Sequence, residues 1–373
     1  MKMVEAVISN GLDGIIVAQT KISAVDGQQG RLIICGRDAE ELAFNSSFEE
    51  TCDLLWRTQK KEEQTSCALL QEQFAQARLE AYRLLKAYPG LLRQDNPMDA
   101  LRTATSNLSN GVPDRSNYIA VTAAIGVFAS NWARLRRGLP IAQPDIKLST
   151  AADFLRIVRD EMPNEAEVEA LDTYLTTVSD HGMNASTFTA RVVASTESDD
   201  ISCVVAAIGA LKGPLHGGAP GPVLDMLDQI GTPENAAAWL NSELASGKRI
   251  MGMGHRIYRV RDPRAAIFEK TIAALERAGL VTTRLNLARA VEKTAEAILA
   301  ERHPDRPLKA NVEFYTAVLL DALQIPHELF TAVFATGRVA GWCAHIAEQR
   351  SNGRLIRPGS QYVGSYPAAS DSH

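Results

Sequence analysis

From Asp38 onward one pattern dominates the chain: Ala, Leu, Glu and Arg prevail, and apolar residues recur three and four positions apart. That period gathers them on one face of an α-helix. No run of βαβ units interrupts it, which disfavours a doubly wound parallel sheet and predicts an all-α fold. The stretch before it differs. Gly11 to Arg37 holds two short β-branched runs flanking Asp26-Gly27, a turn signal, and predicts small strands.

Helix boundaries are legible in several places. Leu69 to Leu85 is rich in helix formers and ends before Tyr88-Pro89-Gly90; Asn96-Pro97-Met98-Asp99 reads as the cap of the next helix. Asn117 to Ala129 predicts a core helix. Pro140 to Pro144 is a connector, and Ser149 to Val158 and Glu165 to Val178 return to helical texture. Ala206 to Pro222 is glycine-rich and reads as an interruption between helical regions. Thr232-Pro233-Glu234 predicts a threonine-capped helix start. Leu285 to Ala300 and Glu328 to Gln349 are further helices. In the second, Gly337 and Gly341 allow close packing. Arg302 to Lys309 is a surface loop.

Composition sets outer bounds. A hydrophobic share of 46% and a charged share of 22% describe a folded globular chain. The net charge of −5 leaves no large basic footprint for nucleic acid, although local basic patches suffice for small anions. Five cysteines without a CxxC argue against a disulfide framework or a cysteine zinc site. No apolar run approaches the roughly 18 residues of a membrane span. The opening Met1 to Glu5 lacks a signal-peptide core, so a cytoplasmic location is the expectation.

Chemistry concentrates in three segments: HGMNASTFTARV from His181, LKGPLHGGAPG around His216, and MGMGHRIYRVRDPR around His255. Each surrounds its histidine with glycine or small polar residues, which let backbone approach a ligand. A histidine capping a helix or satisfied in a loop is the alternative for each. There is no HExxH, GxGxxG or GxxxxGK[ST], so neither a zinc protease site nor a dinucleotide or phosphate loop is expected. Arg256, Arg259, Arg261 and Arg264 follow His255, Arg338 interrupts an apolar helix, and Arg357 lies in RPGSQY. An arginine on an apolar face is either ion-paired or holds an anion. Several beside loop histidines suggest a small polycarboxylate, which guanidinium groups grip bidentately. Glu313, in NVEFY, is either a first-turn helix charge or a general base.

Taken together, HGMNASTF, GPLHGG, GMGHRIYRVRDPRA, NVEFY and RPGSQY resemble the citrate synthase family, in its shorter bacterial and archaeal form, across nearly the whole chain. The resemblance implies a two-domain helical fold with small N-terminal strands. Residues 1–217 and 326–373 would form the large domain and 218–325 a small one that closes over the substrates, with glycines 217, 218 and 221 as a hinge. It implies a Si-type acyltransferase that converts the acyl group to alkyl on transfer, condensing acetyl-CoA with oxaloacetate and hydrolysing citryl-CoA in the tricarboxylic acid cycle. His216 would donate to the thioester oxygen as a neutral imidazole, its other nitrogen held by a backbone acceptor. His255 would polarise the ketone. His181, Arg264 and Arg338 would bind oxaloacetate, and Arg357 would complete the site of the other subunit in a homodimer. Ile250, Met251, Gly252, Met253 and Gly254 would receive the CoA adenine and Arg259 a CoA phosphate. No metal and no permanently bound cofactor is implied.

One position departs from the family pattern: the base, normally aspartate in an NVD motif, is Glu313 here. The added methylene displaces the carboxylate by about one bond length, and a displacement of about 1 Å can cost about 100-fold in rate. Two other readings are carried forward. One is a 2-methylcitrate synthase using propionyl-CoA, since one methylene gives only about 1–3 kcal/mol of discrimination. The other is a silent regulator that binds acyl-CoA or a tricarboxylate.

Overall fold

A computed structural model describes residues 9, 11, 12, 14–60, 63–109, 111, 114–217, 220–254, 257–280, 284–305 and 308–366. Among these, strands β1 (Ser23–Asp26), β2 (Arg31–Ile34) and β3 (Arg37–Asp38) form one antiparallel sheet in chain order. The helices that follow are α1 (Ala39–Asn45), α2 (Phe48–Lys60), α3 (Cys67–Ala87), α4 (Pro97–Thr105), α5 (Arg115–Arg136), α6 (Thr150–Arg159), α7 (Glu165–Val178) and α8 (Ala185–Ala194). After them come α9 (Asp200–Leu211), α10 (Pro220–Ile230), α11 (Ala236–Ala245), α12 (Pro263–Arg277), α13 (Arg284–Arg302), α14 (Val312–Ala322) and α15 (Phe330–Asn352). The all-α expectation, with small strands ahead of the helices, holds.

Local chemistry explains the boundaries. Asn96 accepts from the amides of Met98 and Asp99, and Ser149 from that of Ala152. Asn164 and Glu167 form a reciprocal capping box at the start of α7. Two expectations change. The glycine-rich interruption is shorter than Ala206–Pro222, because α9 runs on to Leu211 and α10 begins at Pro220. The apolar face of α9, with Ala207, Ile208 and Leu211 buried, outweighs the single Gly209. Thr232 makes no side-chain cap hydrogen bond; Pro233–Asn235 is a 3₁₀ turn, and α11 starts at Ala236.

The core centres on α5, buried along most of its length and packed against α3, α4, α6 and α15. Helix α15 in turn packs on α2, α7, α8 and α9, while α12 lies between α7 and α14. The β1–β2 turn reaches across to the segment that leads into α12. Asp26 accepts from the amides of Gln28 and Gln29, and the amide of Arg259 donates to the Gly27 carbonyl at 2.8 Å. Gly27 has no room for a side chain, since a Cβ would lie 2.3 Å from the Ile257 carbonyl oxygen.

Gly337 and Gly341 do bring α15 close to the end of α7. A Cβ on Gly341 would sit 2.3 Å from the Ser179 carbonyl oxygen and 2.6 Å from Asp180 Oδ1, and the Gly341 amide donates to that same carbonyl at 3.1 Å. Backbone cannot yield here as a flexible side chain would. Gly341→Ala is expected to lower unfolding stability by about 2–3 kcal/mol, measured by denaturant titration. A stability unchanged from wild type would mean that the two segments can separate without cost.

Candidate active site

Residues 178–182, which leave α7, are gripped from α15. Arg338 Nε donates to the Val178 carbonyl at 2.6 Å, and Gly341 N to that of Ser179. Asp180 is fully buried: Oδ1 faces His345 Nε2 at 3.1 Å, and Oδ2 accepts from the Ser23 hydroxyl and from the Gly182 amide. His181 follows, 7% exposed, with Nε2 3.1 Å from the Tyr258 hydroxyl.

The Arg338 guanidinium is 1% exposed and makes no ion pair within contact distance among the described residues. Its Nη2 has no hydrogen-bond partner, and its carbon lies 4.7 Å above the Phe334 ring. Burial, reinforced by the like charge of Arg264 and only partly offset by Asp180, brings its pKa down to about 10. A buried cation without a carboxylate partner is costly unless an anion completes it.

Helix α14 supplies the carboxylate. Asn311 caps it by accepting from the Glu313 amide at 3.1 Å, which leaves the Glu313 side chain in the first turn. The Met253–Ala310 bridge, Gly254 N to Lys309 O (2.7 Å), Asn311 N to Gly252 O (2.9 Å) and Asn311 Nδ2 to Gly254 O (3.0 Å) lace residues 252–254 to this helix start. Gly252, at φ +73°, has no room for a Cβ beside Phe314. Burial holds the Glu313 carboxyl above its usual range, against the pull of Arg264 and Arg338. Arg264 opens α12. It is 3% exposed, and Asp262 takes its Nε and Nη2 at 3.0 and 2.7 Å, so one edge of the fork is committed.

His216 follows α9 and meets the N-terminus of α8. Its Nε2 lies 2.8 Å from the Ser186 hydroxyl and 3.3 Å from the Ser186 amide, an N–H that can only donate. Nε2 is therefore an acceptor, and in the neutral ring the proton sits on Nδ1. This replaces the expected backbone acceptor: the tautomer is fixed by a backbone donor. Burial, then the charge of Arg338, lower the His216 pKa to about 4. The positive end of α8 acts in the same direction. The unfolded chain therefore takes up a proton between about pH 6.5 and 4 that the folded protein refuses. Stability is expected to fall as pH drops through that window, by up to about 1.4 kcal/mol per pH unit from this group. His216→Gln should flatten that slope in equilibrium unfolding; an identical slope would remove His216 as its source.

The remaining predicted residues separate into groups. Ile250 is buried, and Met251 and Met253 are half-buried in the segment laced to α14. Arg259 is exposed beside the β1–β2 turn. Arg357 is exposed on the C-terminal segment that follows α15. His255, Arg256 and Gly218 lie outside the described residues. Sequence reading passed over Asp180, Ser186, Tyr258 and His345. A signal existed: Arg338, His345 and Glu348 are polar residues seven and ten positions apart in an apolar helix, so they share one face. A separate cleft of about 470 Å³ is lined by Arg261, Glu269, Glu292 and Lys309 among others. Its charges largely pair with one another, and it lies toward Tyr315 rather than Glu313.

A raised carboxyl, a neutral imidazole and a buried guanidinium with an unpartnered Nη2 are groups chemically suited to removing a carbon-bound proton beside a small anion. The family model for the citrate synthase C-terminal domain matches residues 11–359. The citrate synthase of Haloferax volcanii is 37% identical over 370 residues, covering 96% of each chain. A 2-methylcitrate synthase of Mycobacterium tuberculosis is 36% identical over 364 residues, 96% of this chain and 91% of the relative. Among solved structures, the ternary complex of carboxymethyl coenzyme A and oxaloacetate with the citrate synthase of Thermoplasma acidophilum superposes with a TM-score of 0.85 at 26% identity, covering 97% of this chain and 98% of that one. The chain belongs to the citrate synthase family and is an acyltransferase.

Proposed function

We propose that the protein is a Si-type citrate synthase, with Glu313 as the base that removes a methyl proton from acetyl-CoA. The Nδ1–H of His216 donates to the thioester oxygen as negative charge develops there. The enol carbon then attacks the ketone of oxaloacetate, which His255 polarises. Water hydrolyses the resulting citryl-CoA to citrate and CoA. Arg338 and Arg264, with His181, hold the oxaloacetate carboxylates, and Arg357 of a second copy completes the grip in a homodimer. Exposed Tyr362, Val363 and Tyr366 beside Arg357 support a segment that is covered by another subunit. Residues 250–254 take the CoA adenine and Arg259 a phosphate. Residues 218–325 close as a small domain on 1–217 and 326–373, which excludes water until the carbon–carbon bond has formed. The cytoplasm and the tricarboxylic acid cycle are the setting this reading assigns.

The observation that carries the reading is the Arg338 guanidinium, buried, without a carboxylate in contact among the described residues, and acting electrostatically on both His216 and Glu313. A dicarboxylate in this pocket would supply the missing partner. The test is CoA release from acetyl-CoA with and without oxaloacetate. Release that depends on oxaloacetate is expected; its absence in folded protein would favour the silent-regulator reading. The similarity to a 2-methylcitrate synthase favours one further reading, the use of propionyl-CoA. Steady-state kcat/KM for the two thioesters decides between them, and acetyl-CoA is expected to be preferred.

A further inference from the structure

The same face of α15 that carries Arg338 also carries a buried chain of polar groups leading away from the pocket. Arg191, on α8 and 1% exposed, donates through Nη1 to Glu348 Oε2 at 2.7 Å and reaches His345 Nδ1 at 3.1 Å. Its Nε donates to Gln349 Oε1 at 3.0 Å. The second oxygen of Glu348 accepts from the Lys21 amide at 2.9 Å, just ahead of β1. His345 is fully buried.

A guanidinium has only donors, so His345 Nδ1 must accept and its proton must sit on Nε2. That nitrogen faces Asp180 Oδ1 at 3.1 Å, off the line of an ideal hydrogen bond. Asp180 is the largest favourable charge acting on Arg338, and its neighbour His181 points to Tyr258.

We infer that Arg191 and His345 are positioning residues: Arg191 locks the tautomer of His345, whose Nε2–H holds Asp180 and thereby sets the Arg338 guanidinium and the His181 ring toward the keto-dicarboxylate. The inference rests on the proposed oxaloacetate site for its kinetic consequence, but not for the tautomer. Removing the Nε2–H frees Oδ1 of a buried carboxylate and loosens residues 180–182. A shift of about 1 Å in groups that hold a substrate costs about 10- to 100-fold.

Two measurements test it. In protein labelled with ¹⁵N-histidine, the His345 resonances are expected to be those of a neutral ring protonated at Nε2; a ring protonated at Nδ1, or an imidazolium, overturns the inference. In kinetics, His345→Leu is expected to raise KM for oxaloacetate about tenfold or more, with KM for acetyl-CoA within about threefold. His345→Gln, which keeps an amide N–H near Asp180, should recover most of the loss. Folded variants with wild-type KM, or equal impairment of Leu and Gln, overturn it. Should His345→Leu fail to fold, the NMR result and the Gln variant decide. If the wild-type protein shows no oxaloacetate-dependent CoA release, the functional reading fails instead, and the NMR result alone judges the tautomer lock.

Discussion

Glu313→Gln is expected to lower kcat by about 10²- to 10⁴-fold, the range for loss of a positioned general base. The protein itself should suffer little. Burial raises the Glu313 carboxyl pKa in the folded state, so the folded chain holds its proton more tightly than the unfolded chain does. The sign follows: this group's contribution is complete below the unfolded carboxylate range and is lost as pH rises through the raised folded value. At pH 8 the wild type bears the cost of a buried carboxylate and the Gln variant does not. The thermal midpoint of Glu313→Gln is therefore expected to equal or exceed that of wild type at pH 8, with a smaller advantage near pH 4. Rate and stability should move in opposite directions, which simple misfolding cannot produce. The acid limb of the wild-type kcat profile should fall at a pH above the ordinary glutamate range, because His216 remains neutral down to about pH 4. Near-normal turnover in Glu313→Gln would remove it as the base.

Arg338→Met is expected to reduce kcat/KM for oxaloacetate by about 10²- to 10³-fold, the scale for truncating one partner of a buried hydrogen-bonded charge pair. Without substrate, the variant should be at least as stable as wild type. The guanidinium is 1% exposed, has no carboxylate within contact distance among the described residues, and is held well below the ordinary arginine pKa by burial. Replacing such a charge with an apolar side chain of similar length removes an uncompensated desolvation cost. The contrast with Arg264 tests the logic. Asp262 grips Arg264 through two nitrogens, so Arg264→Met would strand a fully buried carboxylate and should destabilise the fold. Chemical denaturation of both variants, paired with oxaloacetate titrations, separates the two roles. A large loss of stability in Arg338→Met would mean that its hydrogen bond to the Val178 carbonyl matters more than its charge.

Much of the fold was legible from local pattern. Glu165–Val178 was read to its observed limits because Asn164 and Glu167 form a cap that depends only on neighbours in sequence. The turn at Asp26-Gly27 follows from the Asp26 side chain bonding the next amides. The histidine-bearing segments stood out because glycine and small residues crowd them. Thr232 failed as a cap: its backbone is extended, its side chain makes no cap hydrogen bond, and a 3₁₀ turn, Pro233–Asn235, stands between it and α11. The helix-face spacing of Arg338 and His345, and the place of Asp180 just before His181, were visible in the sequence, but not their pairing: His345 and Asp180 are 165 residues apart by number and meet where Gly341 lets α15 approach.

Chain chemistry alone thus settled the helical period, most of the caps, and which residue types could take part in catalysis, because each depends on groups within a turn or two of one another. Contact between distant helices decided the rest. The proton position on His216 is set by an amide from α8, and the placing of Arg338, with Nε on the Val178 carbonyl and Nη2 unpartnered, by the packing of α15 against the end of α7. The raised carboxyl of Glu313 comes from the burial that α14 acquires in the fold. Charge state and tautomer are properties of dielectric surroundings and donor geometry, and neither exists until separate elements have packed together.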